Sequence, residues 1–288
     1  MSYQVINTAP SNSSDAYFRL WGKGISDALE ALGVTKTADT GQIDWTTVAT
    51  PAAGNTYQGY EIRQFTDALQ ATNPILIKIE YGSSGVGSGY PCLRITVAHT
   101  SDGAGTLTGD VSSIFYCASG SGNTTAYQSF ISSDGGRLNL GLWITLTGYQ
   151  CIFWIERFKD ADGDPNALGV NICSMNHTNS RAPLQSYAQT LPASAAAFPA
   201  TPIRWGCAIP ATTPTTYNEN LGLFPVYPHQ GYSGNPDLGG LVFNSGELSA
   251  AGAFMTVNIY GVNHVYVLCT ASFYVNSNLT SNVMVRCE

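Results

Sequence analysis

Two runs of alternating residues lie close together in this chain: Ile75-Leu-Ile-Lys-Ile-Glu-Tyr81 and Cys92-Leu-Arg-Ile-Thr-Val-Ala98. In the first run, isoleucines share one face while Lys78 and Glu80 share the other, and the second run alternates in the same way. Such alternation of β-branched residues, bounded by proline and glycine, is typical of half-buried strands. The two runs therefore predict an antiparallel hairpin with a long loop.

The same kind of pattern recurs over most of the 288 residues. A second hairpin is predicted from 138–146 and 151–158, and its second strand is so continuously apolar that we expect both faces to be covered. Further strands are predicted near 112–118, 163–174, 241–243, 253–260, 265–274 and 282–286. This pattern favours a mainly β fold with an antiparallel β-sandwich-like architecture, in a single domain over residues 1–288.

One amphipathic helix interrupts the β pattern near the start of the chain. Phe18, Trp21, Ile25 and Leu29 recur at helical spacing, and Gly33 supplies a stop signal, so the spacing predicts a helix over about 15–32. The apolar stripe should pack on a sheet or on a neighbouring subunit. We expect these four side chains to be interface residues.

Two other segments are predicted to lack long regular elements. Residues 1–14 are polar, and we expect an extended N-terminal segment. Residues 176–240 contain nine prolines, which prevent strands from running far. We expect a proline-rich loop excursion there, with short strands near 203–206 and 221–224, and its length favours a role in intersubunit contact.

The composition narrows the classes of function. Charged residues are 11% of the chain and hydrophobic residues 44%, whereas an ordinary domain has roughly 25% charged residues. A chain with few charges and many tyrosines and threonines is common where surface is buried against other subunits, although a secreted β-sandwich is an alternative. The net charge is -7 and no Lys/Arg cluster occurs, so we expect no nucleic-acid partner.

Neither sorting signals nor the spacing of the cysteines indicates a particular chemical activity. The first ten residues lack the basic and apolar regions of a signal peptide, and no apolar run approaches the roughly 20 residues of a membrane span. We therefore expect synthesis in the cytoplasm and no membrane partner. The seven cysteines include no CxxC pair, which favours buried thiols and leaves disulfides open.

The sequence gives only weak indications of catalytic or metal-binding residues. Asp160, Asp162 and Asp164 alternate as in the opening of a calcium loop, but Pro165 and Asn171 stand where that loop needs Gly and Glu. A solvated turn is therefore favoured over a metal site, and no cofactor is expected. The glutamates that could supply a glycosidase acid pair are Glu61, Glu80, Glu156, Glu219 and Glu247. Nothing selects two of them, and no GxSxG motif occurs, so no catalytic residue and no enzyme activity is predicted.

Six short segments in the N-terminal third are informative through their order and spacing. They are Phe18-Arg-Leu-Trp-Gly22, Thr37-Ala-Asp-Thr-Gly-Gln-Ile-Asp-Trp45, Gly59-Tyr-Glu-Ile62, Phe65-Thr-Asp-Ala-Leu-Gln-Ala-Thr72, Ile77-Lys-Ile-Glu-Tyr-Gly82 and Ser101-Asp-Gly-Ala-Gly-Thr-Leu-Thr-Gly109. Together they cover about residues 15–110, and this part of the chain resembles a family of bacteriophage and prophage structural proteins associated with the virion.

The resemblance implies a building block of the virion and transfers no active site. We expect a tail or tail-accessory subunit that associates with itself and with neighbouring virion proteins. A capsid decoration protein and a module that binds host surface glycan are the alternatives. The abundant tyrosines and tryptophans would suit stacking on sugars, and they would equally fill sheet faces and interfaces.

Overall fold

The computed structural model describes most of the predicted elements. The described residues are 2–8, 14–52, 56–83, 91–112, 114–118, 127–144, 150–159, 164–176, 185–191, 223–225, 241–244, 254–259, 262–268 and 282–287. Within them the chain forms one α-helix, one short 3-10 helix (Ala68–Ala71) and eighteen β-strands, all paired antiparallel. The predicted mainly β fold is confirmed.

The first sheet contains the hairpin predicted from residues 75–98. Its strands are β2 (Val34–Lys36), β3 (Tyr57–Phe65), β4 (Leu76–Ser83), β5 (Pro91–Ala98) and β8 (Phe115–Ala118), in the order β2-β3-β4-β5-β8. Ile79 pairs with Ile95 in the β4–β5 hairpin, so the apolar residues of both strands share one face. A two-stranded ribbon, β6 (Thr100–Ser101) and β7 (Leu107–Thr108), follows β5.

The second sheet contains the other predicted hairpin. Its strands are β1 (Ser2–Thr8), β9 (Tyr127–Ser133), β10 (Arg137–Ile144), β11 (Gln150–Lys159), β12 (Pro165–Asn176) and β13 (Gln185–Leu191), in chain order across the sheet. Three of these strands, β1, β9 and β13, were not predicted. The polar N-terminal segment becomes the edge strand β1 by pairing with β9, and β13 fits between Pro183 and Pro192, where no proline interrupts it.

The third sheet is formed by the C-terminal part of the chain. Its strands are β14 (Leu223–Pro225), β15 (Leu241–Asn244), β16 (Phe254–Ile259), β17 (Val262–Leu268) and β18 (Asn282–Arg286), in the order β14-β15-β18-β17-β16. These strands agree with the C-terminal β prediction and with the short strand expected near 221–224. The other strand predicted in the proline-rich excursion, at 203–206, lies outside the described residues.

Helix α1 (Asp15–Ala31) begins and ends where the sequence signals predict. The Ser14 hydroxyl accepts a hydrogen bond from the Tyr17 N–H at 3.3 Å, which satisfies one of the free donors of the first turn. At the other end Gly33 has a φ of +77°, a left-handed conformation that glycine adopts without a steric penalty. Local capping chemistry therefore sets both ends of the helix.

The apolar stripe of α1 packs inside the chain, which corrects one expectation. Phe18, Trp21, Ile25 and Leu29 are 6%, 2%, 0% and 0% exposed. The Trp21 ring makes an edge contact with the Tyr81 ring of β4, with the centroids 6.0 Å apart. The four side chains predicted as interface residues are therefore core residues, because the chain's own first sheet already covers them.

The main core lies between the first two sheets and the helix. Apolar residues of β4 and β5 face apolar residues of β10, β11 and β12, and the Phe115 and Phe153 rings meet across the gap at a centroid distance of 6.0 Å. Sheet packed face to face on sheet is the sandwich-like arrangement that the alternation predicts.

The other face of the second sheet is also covered. On β11, Phe153 and Trp154 point to opposite faces, and both are buried. The third sheet contributes the buried Tyr266, and the Phe254 ring lies 5.2 Å from the Tyr3 ring of β1. The prediction that both faces of this apolar strand are covered is confirmed.

A pair of helix glycines gives a test of this packing. A methyl group added at Gly22 would lie 2.0 Å from Cη2 of Trp45, whereas one added at Gly24 would lie 3.0 Å from Cγ2 of Ile6. We expect Gly22→Ala to lower the free energy of unfolding by about 1–3 kcal/mol through overpacking. Gly24→Ala should stay within about 1 kcal/mol of wild type, because the gain in helix propensity offsets a small shift of Ile6. Urea unfolding of both variants measures the difference, and equal stabilities would contradict the close packing at Gly22.

Candidate functional site: a buried carboxylate between the helix and the first sheet

A densely hydrogen-bonded polar group in the described residues is the carboxylate of Glu61 on β3. Its side chain is fully buried and faces α1. Oε1 accepts hydrogen bonds from the Ser26 hydroxyl at 2.7 Å and from Trp45 Nε1 at 3.1 Å. Oε2 accepts one from the Tyr81 hydroxyl at 3.0 Å. Three separate elements thus supply neutral donors to one carboxylate.

Two cations complete the surroundings of Glu61. Lys36 Nζ lies 2.7 Å from Oε1, and Arg63 donates to Oε2 from Nη2 at 2.8 Å and from Nε at 3.1 Å. Hydrogen bonds between ionised groups are roughly twice as strong as those between neutral groups. A buried carboxylate requires such partners, because an unpaired charge in the interior is strongly destabilising.

Arg63 extends the network onto the helix. Its Nη1 donates to Glu30 Oε2 at 2.7 Å, and its Nη2 donates to the Ser26 hydroxyl at 2.6 Å. Arg63 is almost completely buried and uses the fork geometry of its guanidinium to hold both groups at once. We call Ser26, Lys36, Trp45, Glu61, Arg63 and Tyr81 the Glu61 network. It joins α1, the loop after β2 and three strands of the first sheet, β2, β3 and β4.

Periodicity explains how the chain brings these groups together. Glu61 and Arg63 are two residues apart on one strand, so they share the inner face of the sheet. Ser26 and Glu30 are four residues apart on α1 and lie on neighbouring turns of one helix face. The strand and the helix therefore present matched pairs of polar groups across a mostly apolar contact.

The protonation states follow from these contacts. Burial raises the pKa of the Glu61 carboxyl, but Arg63, Lys36 and Ser26 together lower it by more, so the net pKa lies below its ordinary value. Burial and the neighbouring Glu61 charge hold the pKa of Tyr81 well above its ordinary value. At neutral pH Glu61 is therefore an anion, and Tyr81 is a neutral donor.

The contacts around Glu61 suit a structural role better than a catalytic one. A carboxylate offers about four lone-pair sites. Six donor atoms from five side chains already surround the two oxygens of Glu61. No acceptor position remains for a substrate, so the geometry makes Glu61 an anchor between helix and sheet.

A second polar cluster holds the loops at the outer face of the first sheet. Asp39 accepts from the Thr37 hydroxyl at 2.6 Å and from the Ser101 hydroxyl at 2.7 Å. Burial raises the pKa of Asp39, but the Thr37 and Ser101 hydroxyls contribute to a net lowering. The Tyr60 hydroxyl donates to the carbonyl oxygens of Thr40 at 2.7 Å and Ala104 at 3.2 Å. These bonds are internal to the loops and fix their course.

The other sequence candidates do not converge in the described part of the chain. Asp160 and Asp162 lie outside it, and Asp164 is exposed, so the weak metal candidate stays untested. Among the described residues there is no cluster of three His, Cys, Asp or Glu side chains suited to a metal ion. His99 lies 2.8 Å from the Pro74 carbonyl oxygen through Nδ1, which is a loop contact.

The cysteines whose side chains the structure describes fall into two classes. Cys92 is a buried free thiol in β5, and burial raises its pKa to about 12. Cys117 of β8 is disulfide-bonded, so buried thiols alone do not describe the cysteines of this chain. A thiol with so high a pKa carries almost no thiolate at neutral pH and is a poor nucleophile.

Sequence reasoning named Glu61 only as one of five glutamates. A signal was present, because Glu61 and Arg63 are opposite charges spaced two apart in a run that also contains Ile62 and Phe65. Its partners Ser26, Trp45 and Tyr81 come from distant segments, and no local pattern connects them. The network could be seen only after the helix had been placed on the sheet.

Comparison of the chain with protein-family models, with curated proteins and with solved structures finds no match. In the described residues, no helix combines the length and the apolar character that a membrane crossing requires. The interpretation of the Glu61 network therefore rests on its own geometry.

Neutralising Glu61 tests the anchor role. We expect Glu61→Gln to lower the free energy of unfolding by about 3–5 kcal/mol, because it removes the buried counter-charge shared by Arg63 and Lys36 and leaves Arg63 only the exposed Glu30 as an anionic partner. The matched control is Asp27→Asn, which removes an exposed partner of Lys23 and should change stability by less than about 1 kcal/mol. Denaturant unfolding measures both, and a small effect of Glu61→Gln would contradict the anchor role.

The lowered pKa of Glu61 predicts a specific pH dependence. The stability that comes from this ionised carboxylate is fully present above the unfolded-state pKa of about 4.3 and is lost as the pH falls through the lower folded-state pKa. The stability difference between wild type and Glu61→Gln should therefore be constant near neutral pH and shrink below about pH 4.3. Urea midpoints measured from pH 7 to pH 3 check this, and a difference that grew on acidification would contradict it.

Proposed function

We propose that this protein is a structural subunit of a bacteriophage virion, in the tail or its accessory parts, and that it works by associating with itself and with neighbouring virion proteins. One observation carries the proposal. Three of the six segments that resemble phage structural proteins, at 37–45, 59–62 and 77–82, each contribute a residue to the Glu61 network. These residues are buried parts of the fold, which supports a scaffold role for the region that carries the resemblance.

Four of the six resembling segments each contribute a residue to one buried cluster. Trp21, Trp45, Glu61 and Tyr81 come from the segments at 18–22, 37–45, 59–62 and 77–82. The Trp45 and Tyr81 rings pack edge to face with centroids 4.7 Å apart, and both residues donate hydrogen bonds to Glu61. Residues distant in sequence thus form a single physical unit.

The remaining two segments hold adjoining parts of the fold. Asp67, from the segment at 65–72, accepts hydrogen bonds from Arg157 of β11, at 2.9 Å between Oδ1 and Nη2. The segment at 101–109 supplies the Ala104 carbonyl oxygen that holds Tyr60. Each of the six resembling segments therefore contributes a contact to the fold. This supports the proposal of a structural subunit over that of an enzyme.

The outward face of α1 offers a surface for assembly. Tyr17 and Leu20 are 39% and 56% exposed and lie one turn apart near the start of the helix. Large apolar side chains grouped on a helix face are typical of contact surfaces. We infer that the helix contributes to assembly through Tyr17 and Leu20, which lie beside its buried stripe, and not through the four residues first predicted as the interface.

Mass spectrometry of purified virions, with heads and tails separated, tests the proposal. We expect the protein in the tail fraction at a small multiple of the tail symmetry, because closed rings are the common form of such assemblies. Hundreds of copies in the head fraction would support the capsid decoration alternative instead. Absence from purified virions would overturn the structural role and favour a glycan-binding or enzymatic one.

Surface variants test the role of the helix within that proposal. We expect the double variant Tyr17→Ser/Leu20→Ser to be incorporated into virions at least tenfold less than wild type, with an unchanged melting temperature. The matched control is Val111→Ser/Ile114→Ser, which removes two other exposed apolar side chains, each 45% exposed, away from the helix. Equal incorporation of both double variants would exclude the α1 surface as the contact.

A further inference from the structure

The edge strand β1 occupies a groove that is built to hold an extended segment. All seven of its residues pair in register with β9, from Ser2 opposite Ser133 to Thr8 opposite Tyr127. β1 is the outermost strand of the second sheet, so β9 supplies its only pairing within that sheet. The hydrogen-bonding edge of β9 is the floor of this groove.

Two side-chain sites flank the floor. On one face, Ile6 packs on helix α1 at Gly24, where the missing side chain makes room for it. On the other face, the Tyr3 ring lies 5.9 Å from the Phe130 ring of β9 and 5.2 Å from the Phe254 ring of the third sheet. A paired backbone edge with separate sites for alternate side chains is the general form of strand recognition between proteins.

β1 contributes little to the core of its own chain. Tyr3, Gln4 and Asn7 are exposed, and Val5 and Ile6 are only half-buried, whereas residues 129–133 of β9 are all buried. The binding energy of β1 therefore comes mainly from its pairing with β9 and from the sites for Tyr3 and Ile6. The same contacts would form with an identical strand from another copy.

We propose that the strand is exchanged between copies: residues 2–8 of one subunit occupy the groove beside β9 of a neighbouring subunit. This inference rests on the proposed assembly role and deepens it by naming the partner and the contact. Exchange of an identical element keeps every strand contact and adds a link between subunits, so it is a low-cost route to oligomers.

The connection to α1 limits the geometry. Residues 9–13 join β1 to Ser14, and a fully extended chain of this length spans about 20 Å. The acceptor groove must therefore lie within that distance of the donor's helix start. Tyr17 and Leu20 lie in the first two turns of the same helix, so the exposed apolar surface adjoins the site of exchange.

Variants that each add one cysteine to the native chain, carried on separate copies, distinguish exchange from pairing within one chain. Asn7 pairs with Gln128, and Ser2 pairs with Ser133. Full-length N7C and Q128C chains with different tags are coexpressed, so that strands can pair during folding, and S2C with S133C forms the second set. We expect a disulfide-linked heterodimer in both sets. The mismatched mixtures, N7C with S133C and S2C with Q128C, should give at least tenfold less.

Two controls keep the result interpretable. The double variants N7C/Q128C and S2C/S133C, each within one chain, show that the variants fold and that the register allows a disulfide. If these link internally while the coexpressed single variants stay unlinked, strand exchange is overturned. That outcome would leave the virion proposal intact, because a protein that is found in virions without strand exchange still has a structural role there. A linked heterodimer absent from virions would instead establish exchange and overturn the virion role.

Discussion

A single buried anion organises the N-terminal half of this fold. Glu61 is out of contact with solvent and carries its charge only because Lys36 and Arg63 neutralise it and neutral donors saturate its oxygens. Replacing such a network with apolar residues is often neutral for stability, so its value lies elsewhere. A helix that packs through an apolar stripe alone can slide or rotate with little penalty. Glu61 and Arg63 of the sheet must meet the Ser26 hydroxyl and the Glu30 carboxylate of α1, and this requirement holds the helix on the first sheet in a defined register.

The contact between the first and second sheets combines apolar and ionic groups in the same way. Apolar faces supply most of the contact, and buried ionic groups fix the alignment. Arg157 of β11 is almost completely buried and reaches out of the second sheet to Asp67 and to the Asn73 carbonyl oxygen, at 3.0 Å, in the segment before β4. Because a guanidinium donates in a fixed plane, this contact constrains angle as well as distance. Under the proposed assembly role, this alignment would give every copy the same outer surface, which a symmetric assembly requires.

The elements that sequence reasoning recovered are those whose signal is local. The hairpin at 76–98 and helix α1 follow from periods of 2 and 3.6 residues, caps and glycine stops. Strand β1 lacked such a signal, because a polar edge strand is defined by its partner β9 more than a hundred positions later. The stripe of Phe18, Trp21, Ile25 and Leu29 correctly indicated a buried face but could not indicate what buries it. The Glu61 network could not be predicted from the sequence for the same reason, since its members come from segments that only the tertiary fold brings together.

The pairing of β1 with β9 also sets an order of events during synthesis. The first strand of the second sheet leaves the ribosome early, yet its place in the sheet does not exist until residues 127–133 have followed. At about 5–20 residues per second the delay is roughly 6–25 s. During that time α1 can already settle on the first sheet, whose strands β2 to β8 are complete by residue 118. The rate of translation therefore sets how long residues 2–8 stay unpaired. In a polysome, where nascent chains are crowded together, they can then pair with β9 of their own chain or with β9 of a neighbouring chain.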